Sequence, residues 1–189
     1  MRRSWMLGII MAVFTSGAWA DLRMEILDLS KRAVRLTYEL ADSQAGGKNF
    51  YFPQGGFIHD ATAGEFKVES VWDVSNNMQL DCEIFTDKET NLPVLQIPYK
   101  IPIPQGAKKN LRITVKVNLP QKYLSVDAAG RNVIICETSH AFEFVIPKDQ
   151  YIVASNQPIT LKEEDGRVIA NQEKEEFRAI VIQTRAMKK

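Results

Sequence analysis

The feature that most constrains the fold of this chain is a strict alternation of apolar and polar residues. The clearest run is LRITVKVNL, residues 111–119, in which every second side chain is apolar. Successive side chains of a β-strand point to opposite faces, so this run predicts a strand with one buried and one wet face. Similar runs occupy 34–40, 66–74 and 78–84. Such one-sided burial is typical of antiparallel sheets.

Shorter alternating segments extend this pattern over the rest of the chain. They predict further strands at 22–29, 48–53, 95–104, 132–138, 141–147, 150–155, 159–163, 167–171 and 175–184. Asp165-Gly166 is the strongest hairpin signal between two of them. No amphipathic helix is predicted after residue 20. We therefore expect an all-β fold, a single antiparallel β-sandwich of immunoglobulin-like or related type, with a barrel as the alternative.

The N-terminus, MRRSWMLGIIMAVFTSGAWA, combines two arginines, a short apolar core and an Ala-Trp-Ala ending. This pattern predicts a secretory signal peptide over residues 1–20, cleaved after Ala20, and one β-sandwich domain over 21–189. The apolar core is shorter than the roughly 20 residues that span a bilayer, so we expect no membrane span after cleavage. The expected location is the periplasm, with release from the cell as the alternative.

The charge balance narrows the class of partner. The chain has 24 Lys and Arg residues against 23 Asp and Glu residues. Binding to nucleic acid or to anionic lipid needs a basic excess on one face, and the composition offers none. We predict no nucleic-acid partner, and the composition leaves the oligomeric state open.

The chain contains two cysteines, Cys82 and Cys136. Both belong to apolar sets of predicted strands and are expected to be buried. In an exported protein they suggest a disulfide, which would stabilise the fold by about 4 kcal/mol on the chain-entropy model. Two separate buried thiols are the alternative, and the sequence gives no distance that decides between them.

Residues suited to catalysis are few. His59 and His140 are the two histidines, and no common zinc, nucleotide or nucleophile motif is present. Glu137 and His140 have a spacing that places two metal ligands on one face only in a helix, whereas here a strand is predicted. We predict no metal, no cofactor and no enzymatic activity.

The aromatic stretch NFYFPQGGFIHD, residues 49–60, is the best candidate for a binding site. Period-two alternation assigns Phe50 and Phe52 to the core, and the Gly pair turns the chain. Four residues then remain as candidate ligand-binding residues: Tyr51, Phe57, His59 and Asp60.

Residues 142–158, FEFVIPKDQYIVASNQP, contain a strand, a turn, a strand and a Ser-Asn-x-Pro corner. This segment resembles the non-catalytic β-sandwich domain that precedes the catalytic domain of some zinc aminopeptidases. The catalytic domain's zinc motif is absent from this sequence. The resemblance therefore implies a stand-alone β-domain without peptidase activity.

Three functional hypotheses follow from the sequence. The leading hypothesis is an exported, non-enzymatic β-sandwich that binds another protein or a cell-envelope component through its strand edges. The alternative is a small-ligand or carbohydrate-binding module that uses the aromatic Gly-rich loop. The third is a hydrolase in which His59 acts as a base.

Overall fold

The structure is a computed structural model of the chain. It describes residues 19–44, 49–51, 66–86, 88–89, 93–96, 108–138, 141–172 and 178–187. These residues form strands and turns, and no helix occurs among them. The expected all-β fold is confirmed. No segment of this part of the chain is a helix long and apolar enough to cross a membrane.

Fifteen strands are described, and their bounds follow in chain order. They are β1 (Trp19–Asp28), β2 (Ala33–Gln44), β3 (Asn49–Tyr51), β4 (Phe66–Asp73), β5 (Met78–Gln79), β6 (Glu83–Thr86), β7 (Pro93–Gln96), β8 (Lys108–Asn118), β9 (Leu124–Val126), β10 (Asn132–Thr138), β11 (Ala141–Val145), β12 (Gln150–Ser155), β13 (Thr160–Glu164), β14 (Arg167–Gln172) and β15 (Arg178–Ala186).

The strands form three sheets. The largest has eight strands in the order β13-β14-β11-β1-β2-β8-β4-β5. A four-stranded sheet has the order β12-β15-β10-β9, and a three-stranded sheet has the order β3-β7-β6. Apolar residues of the two larger sheets belong to one buried cluster, for example Leu36 and Ile113 with Ile134 and Ile182. Two sheets that share one core form the layered arrangement of a β-sandwich.

One strand pair departs from the antiparallel pattern. β1 and β11 run parallel, with Leu22 opposite Phe142 and Met24 opposite Phe144. A short hairpin forces its strands to be antiparallel, but a long connection leaves the direction free. β1 and β11 are separated by more than a hundred residues that supply most of the other strands, so no local turn fixes their relative direction.

The predicted strand 78–84 is divided in two. β5 ends at Gln79 as the outermost strand of the eight-stranded sheet, and β6 begins at Glu83 in the three-stranded sheet. Between them, Leu80 and Cys82 pack against the core. The alternation therefore continues through the point where the chain changes sheets, which is why periodicity alone predicted one strand.

The face of the eight-stranded sheet opposite the core, called here the outer face, carries cross-strand ion pairs. On β2, Arg35 bridges Glu25 of β1 at 2.9 Å and, across β8, Glu69 of β4 at 2.5 Å. Arg167 of β14 also binds Glu25. Alternation thus separates the sheet into a dry inner face and a charged outer face.

Candidate functional site

The aromatic loop predicted as a ligand site falls mainly outside the described residues. Phe57, His59 and Asp60 are not among them. Tyr51 is the last residue of β3, and the strand register places it opposite Val94, which is buried. These four residues remain a sequence-based prediction.

The two cysteines are free thiols in the structure. Cys136 lies on β10 opposite Ile180 and is fully buried, and Cys82 lies between β5 and β6 and is half-buried. Burial raises the pKa of both thiols, and Asp81 adds to the rise at Cys82. No bond joins the two sulfurs in the structure, and the Cys82–Cys136 disulfide stays a prediction from the sequence.

Potential metal ligands do not cluster in the described part of the chain. No group of three or more His, Cys, Asp or Glu residues with suitable geometry occurs there. His140 lies outside these residues, so the arrangement of Glu137 and His140 is not described.

The Ser-Asn-x-Pro corner noted in the sequence is a fixed junction between the two larger sheets. It connects β12, the edge of the four-stranded sheet, to β13, the edge of the eight-stranded sheet. The Asn156 side chain donates from Nδ2 to the carbonyl of Ala179 at 2.9 Å and accepts from the N–H of Val181 at 2.7 Å. Asparagine can satisfy both backbone groups because its amide carries a donor and an acceptor. The corner thereby anchors the start of β13 to β15.

The other end of β13 is fixed by a two-residue turn. Asp165 and Gly166 have φ values of 51° and 68°, as a type I′ hairpin turn requires. This confirms the hairpin predicted from the Asp-Gly dipeptide. β13 is therefore a five-residue strand held at both ends, with a regular register along β14.

Among the residues that the structure describes, one side of β13 has no strand partner. Within the described residues, it pairs with β14 alone. In a two-residue hairpin, the residues that close the loop exchange both backbone hydrogen bonds, and bonded and non-bonded pairs then alternate. Glu164 and Lys162 therefore point their N–H groups towards β14. Leu161 and Glu163 point their N–H and C=O groups away from the sheet, along the free side of β13, called here the β13 edge.

The side chains along the β13 edge differ between the two faces. On the outer face, Lys162 forms an ion pair with Glu143, and Glu164 forms one with Arg23 at 3.0 Å. The hydrogen bond from Arg23 lowers the pKa of Glu164, so this carboxylate stays charged at neutral pH. On the opposite face, Leu161 is 59% exposed, and Glu163 forms no ion pair with any residue that the structure describes. The edge therefore offers an apolar and an acidic contact beside open backbone groups.

The other sheet edges are less suited to pairing. β12 has a register irregularity between Ile152 and Ala154, and such a bulge twists an edge away from a partner. β5 contains two residues, and β3 and β9 contain three residues each. β6 is four residues long and exposes Ile84 and Phe85, so it is the next most suitable edge for pairing with an added strand. Only β13 combines five regular residues with fixed ends among the edges described.

The sequence predicted this segment as a strand but did not predict that it forms the edge of a sheet. The predicted strand 159–163 agrees with β13, yet alternation does not report which strand ends a sheet. The local composition carried one signal, because TLKEE contains a single apolar residue, Leu161, whereas the RVIANQ of β14 contains three. A strand with so few apolar residues is typical of an edge.

This chain is an all-β domain whose fold resembles part of the M1 zinc metallopeptidases. The M1 zinc metallopeptidase from Deinococcus radiodurans matches it with a TM-score of 0.52 and 10% sequence identity, over 87% of this chain and 40% of that chain. A variant of a two-domain M1 zinc metallopeptidase bound to L-tryptophan matches with a TM-score of 0.51 and 11% identity, over 87% of this chain and 41% of that chain. No family model and no curated protein matches the chain.

These matches confirm the resemblance that residues 142–158 indicated. At about one identical residue in ten, the likeness concerns the fold alone. The chain spans about two fifths of the length of those solved structures. Activity and substrates of the longer proteins are therefore not transferred to this chain by the match.

Proposed function

We propose that this chain is an exported, non-enzymatic β-domain that binds another protein, or a protein component of the cell envelope, by strand addition at the β13 edge. The observation that carries the proposal is the regular five-residue edge with outward backbone groups at Leu161 and Glu163. An extended segment that adds to such an edge gains main-chain hydrogen bonds for affinity, and alternate side chains supply specificity.

The chemistry of the edge describes the partner segment. Residues directly opposite each other on one face of a sheet are in contact, so an added strand would place one residue beside Leu161 and another beside Glu163. The first position favours an apolar side chain and the second a lysine or arginine. The ion pair of Lys162 with Glu143 leaves no unmatched cation on the outer face at this point. The partner is an extended segment in which an apolar and a basic residue are two positions apart.

Separate observations support the proposed export and the proposed lack of enzymatic activity. The signal-peptide pattern of residues 1–20 supports export to the periplasm, with release from the cell as the alternative. The sequence lacks the common catalytic motifs, and the fold match covers only a part of the M1 structures. Both points favour a binding domain over a peptidase.

The test is affinity capture of the tagged chain from envelope extracts at native levels, with two variants at one position. Glu163→Pro removes the outward N–H but no ladder bond, since proline is tolerated in an edge strand at such a position. Glu163→Ala keeps the N–H and removes the carboxylate. We expect the native chain to retain a specific partner, the proline variant to lose it by about tenfold or more, and the alanine variant to lose less.

Thermal unfolding of both variants provides the folding control. A proline variant with the native Tm that still captures the partner in full would exclude the β13 edge and favour β6. A native chain that captures nothing specific would contradict the binding function itself.

A further inference from the structure

An open pocket lies beside the turn between β1 and β2, and its chemistry differs from that of the β13 edge. It has a volume of about 360 Å³, within the range of small-molecule sites. One wall is the turn between β1 and β2, and the other is β9 with the segment that precedes it. Its lining residues are Leu29, Ser30, Arg32, Gln121, Leu124, Ser125 and Val126.

Arg32 is held rigidly in the wall of this pocket. Its carbonyl accepts the N–H of Leu119 at 2.9 Å, and its Nε donates to the carbonyl of the same residue at 2.9 Å. Its own N–H donates to the carbonyl of Leu29 at 3.1 Å. This clamp holds the guanidinium through Nε, and no hydrogen bond of its two terminal nitrogens occurs among the residues described. Arg32 also forms no ion pair with these residues.

The backbone at Arg32 is unusual for its residue type. Its φ is 52°, in the left-handed region that glycine or asparagine adopts more readily. Strained backbone of this kind recurs at functional sites. Here the arginine side chain supplies the hydrogen bond from Nε to the Leu119 carbonyl and a cation at the pocket, neither of which glycine would provide.

The charges around the pocket favour an anion. The two wall segments, 29–32 and 119–126, contain Lys31, Arg32 and Lys122 and no acidic residue. The acids that flank them are engaged in their own turns. Asp28 accepts from the Ser30 hydroxyl and from the backbone of residues 30 and 31, and Asp127 accepts from Arg131 and the backbone of Ala129.

We propose that this pocket binds the carboxylate of a small organic anion whose apolar part rests against Leu29 and Val126. Arg32 would receive the carboxylate through the two terminal nitrogens of its guanidinium, the geometry in which arginine binds such groups most tightly. The Gln121 amide and the Ser125 hydroxyl supply further donors. Ser30 donates to Asp28, so it lines the site as an acceptor. The proposal does not depend on strand addition at the β13 edge.

Such a carboxylate belongs either to a free carboxylic acid or to the C-terminus of a peptide. The test is an NMR titration of the full ¹⁵N-labelled chain with 4-methylpentanoate, N-acetyl-leucine and the neutral N-acetyl-leucinamide. We expect saturable shifts of the amides of Ser30, Arg32 and Ser125 with both acids in the millimolar range, and about tenfold weaker binding of the amide. Tighter binding of N-acetyl-leucine than of 4-methylpentanoate indicates a peptide terminus, and the reverse indicates a free acid.

Three variants make the test specific. Arg32→Gln removes the cation and should weaken acid binding by about tenfold or more. Gln121→Glu adds a carboxylate to the pocket without altering the hydrogen bonds of Arg32. It therefore tests acid binding at the pocket even if Arg32→Gln does not fold. Arg112→Gln, at an exposed arginine paired with Glu39 on the outer face, should leave binding unchanged. Equal binding of acid and amide, no saturable shift with either acid, or full binding by Gln121→Glu would overturn the proposal.

Discussion

The centre and the margin of the eight-stranded sheet are built from the same alternation but have opposite surroundings. β2 lies between β1 and β8, so both of its sides are paired, its inner residues are buried and its outer arginine is bridged on both sides. β13 ends the same sheet, and Leu161 is 59% exposed on the face where Leu36 of β2 is 0% exposed. Periodicity assigns a residue to a face, but only the position of its strand in the sheet decides whether that face is covered.

The largest expected effect comes from one substitution made in both regions. Leu36→Ala empties a fully enclosed position and should lower the free energy of unfolding by about 2–5 kcal/mol. Leu161→Ala removes a mostly exposed side chain and should change it by less than about 0.5 kcal/mol. Urea unfolding of both variants measures the difference. Similar losses at the two positions would show that the β13 margin is covered in solution.

The corner that holds β13 should give an intermediate effect. Asn156→Ala leaves the carbonyl of Ala179 and the N–H of Val181 without their side-chain partner, so the free energy of unfolding should fall by about 0.5–1.5 kcal/mol. Gln157→Ala is the neighbouring control and should have little effect. Amide exchange at Val181 should accelerate in the first variant only. An unchanged rate there would mean that Asn156 does not anchor the edge.

The smallest effect concerns the ion pairs of the centre. The hydrogen bond from Arg35 lowers the pKa of Glu69, so this carboxylate titrates lower in the folded chain than in the unfolded one. Its stabilising contribution is present above the ordinary glutamate pKa and is lost as the pH falls through the folded pKa. Glu69→Gln should cost about 0.5 kcal/mol at pH 7, because the pair is partly exposed, and nothing at strongly acidic pH.

Glu163 provides the matching control at the margin. It forms no ion pair with the residues described, so Glu163→Gln should leave the Tm unchanged at both pH values. A pH-dependent loss at Glu163 as large as that at Glu69 would contradict the contrast between the two regions.

The sequence predicted the parts of the fold that depend on local pattern. Alternation located β8 and β10, and Asp165-Gly166 located the hairpin, because side-chain period and turn conformation are properties of neighbouring residues. The parallel pairing of β1 with β11 and the change of sheet after β5 depend on contacts between distant segments. β9 was not predicted, since three residues are too few for a period to show.

The candidate sites also divide into features set by neighbouring residues and features set by contacts between distant segments. The Ser-Asn-x-Pro corner could be identified from four residues, but the open edge that follows it depends on sheet order. The pocket at Arg32 joins two turns almost ninety residues apart, so no local motif marks it. The aromatic loop was selected on composition and remains a prediction for Tyr51, Phe57, His59 and Asp60.

Residue-resolved amide exchange across β13, in the free chain and with the captured partner bound, tests the central claim most directly. In the free chain, the amides of Leu161 and Glu163 should exchange at least about tenfold faster than those of Lys162 and Glu164, which bond to β14. With the partner bound, the first two amides should become protected while the second two change little. A bound partner that leaves Leu161 and Glu163 as fast as in the free chain would contradict strand addition at the β13 edge.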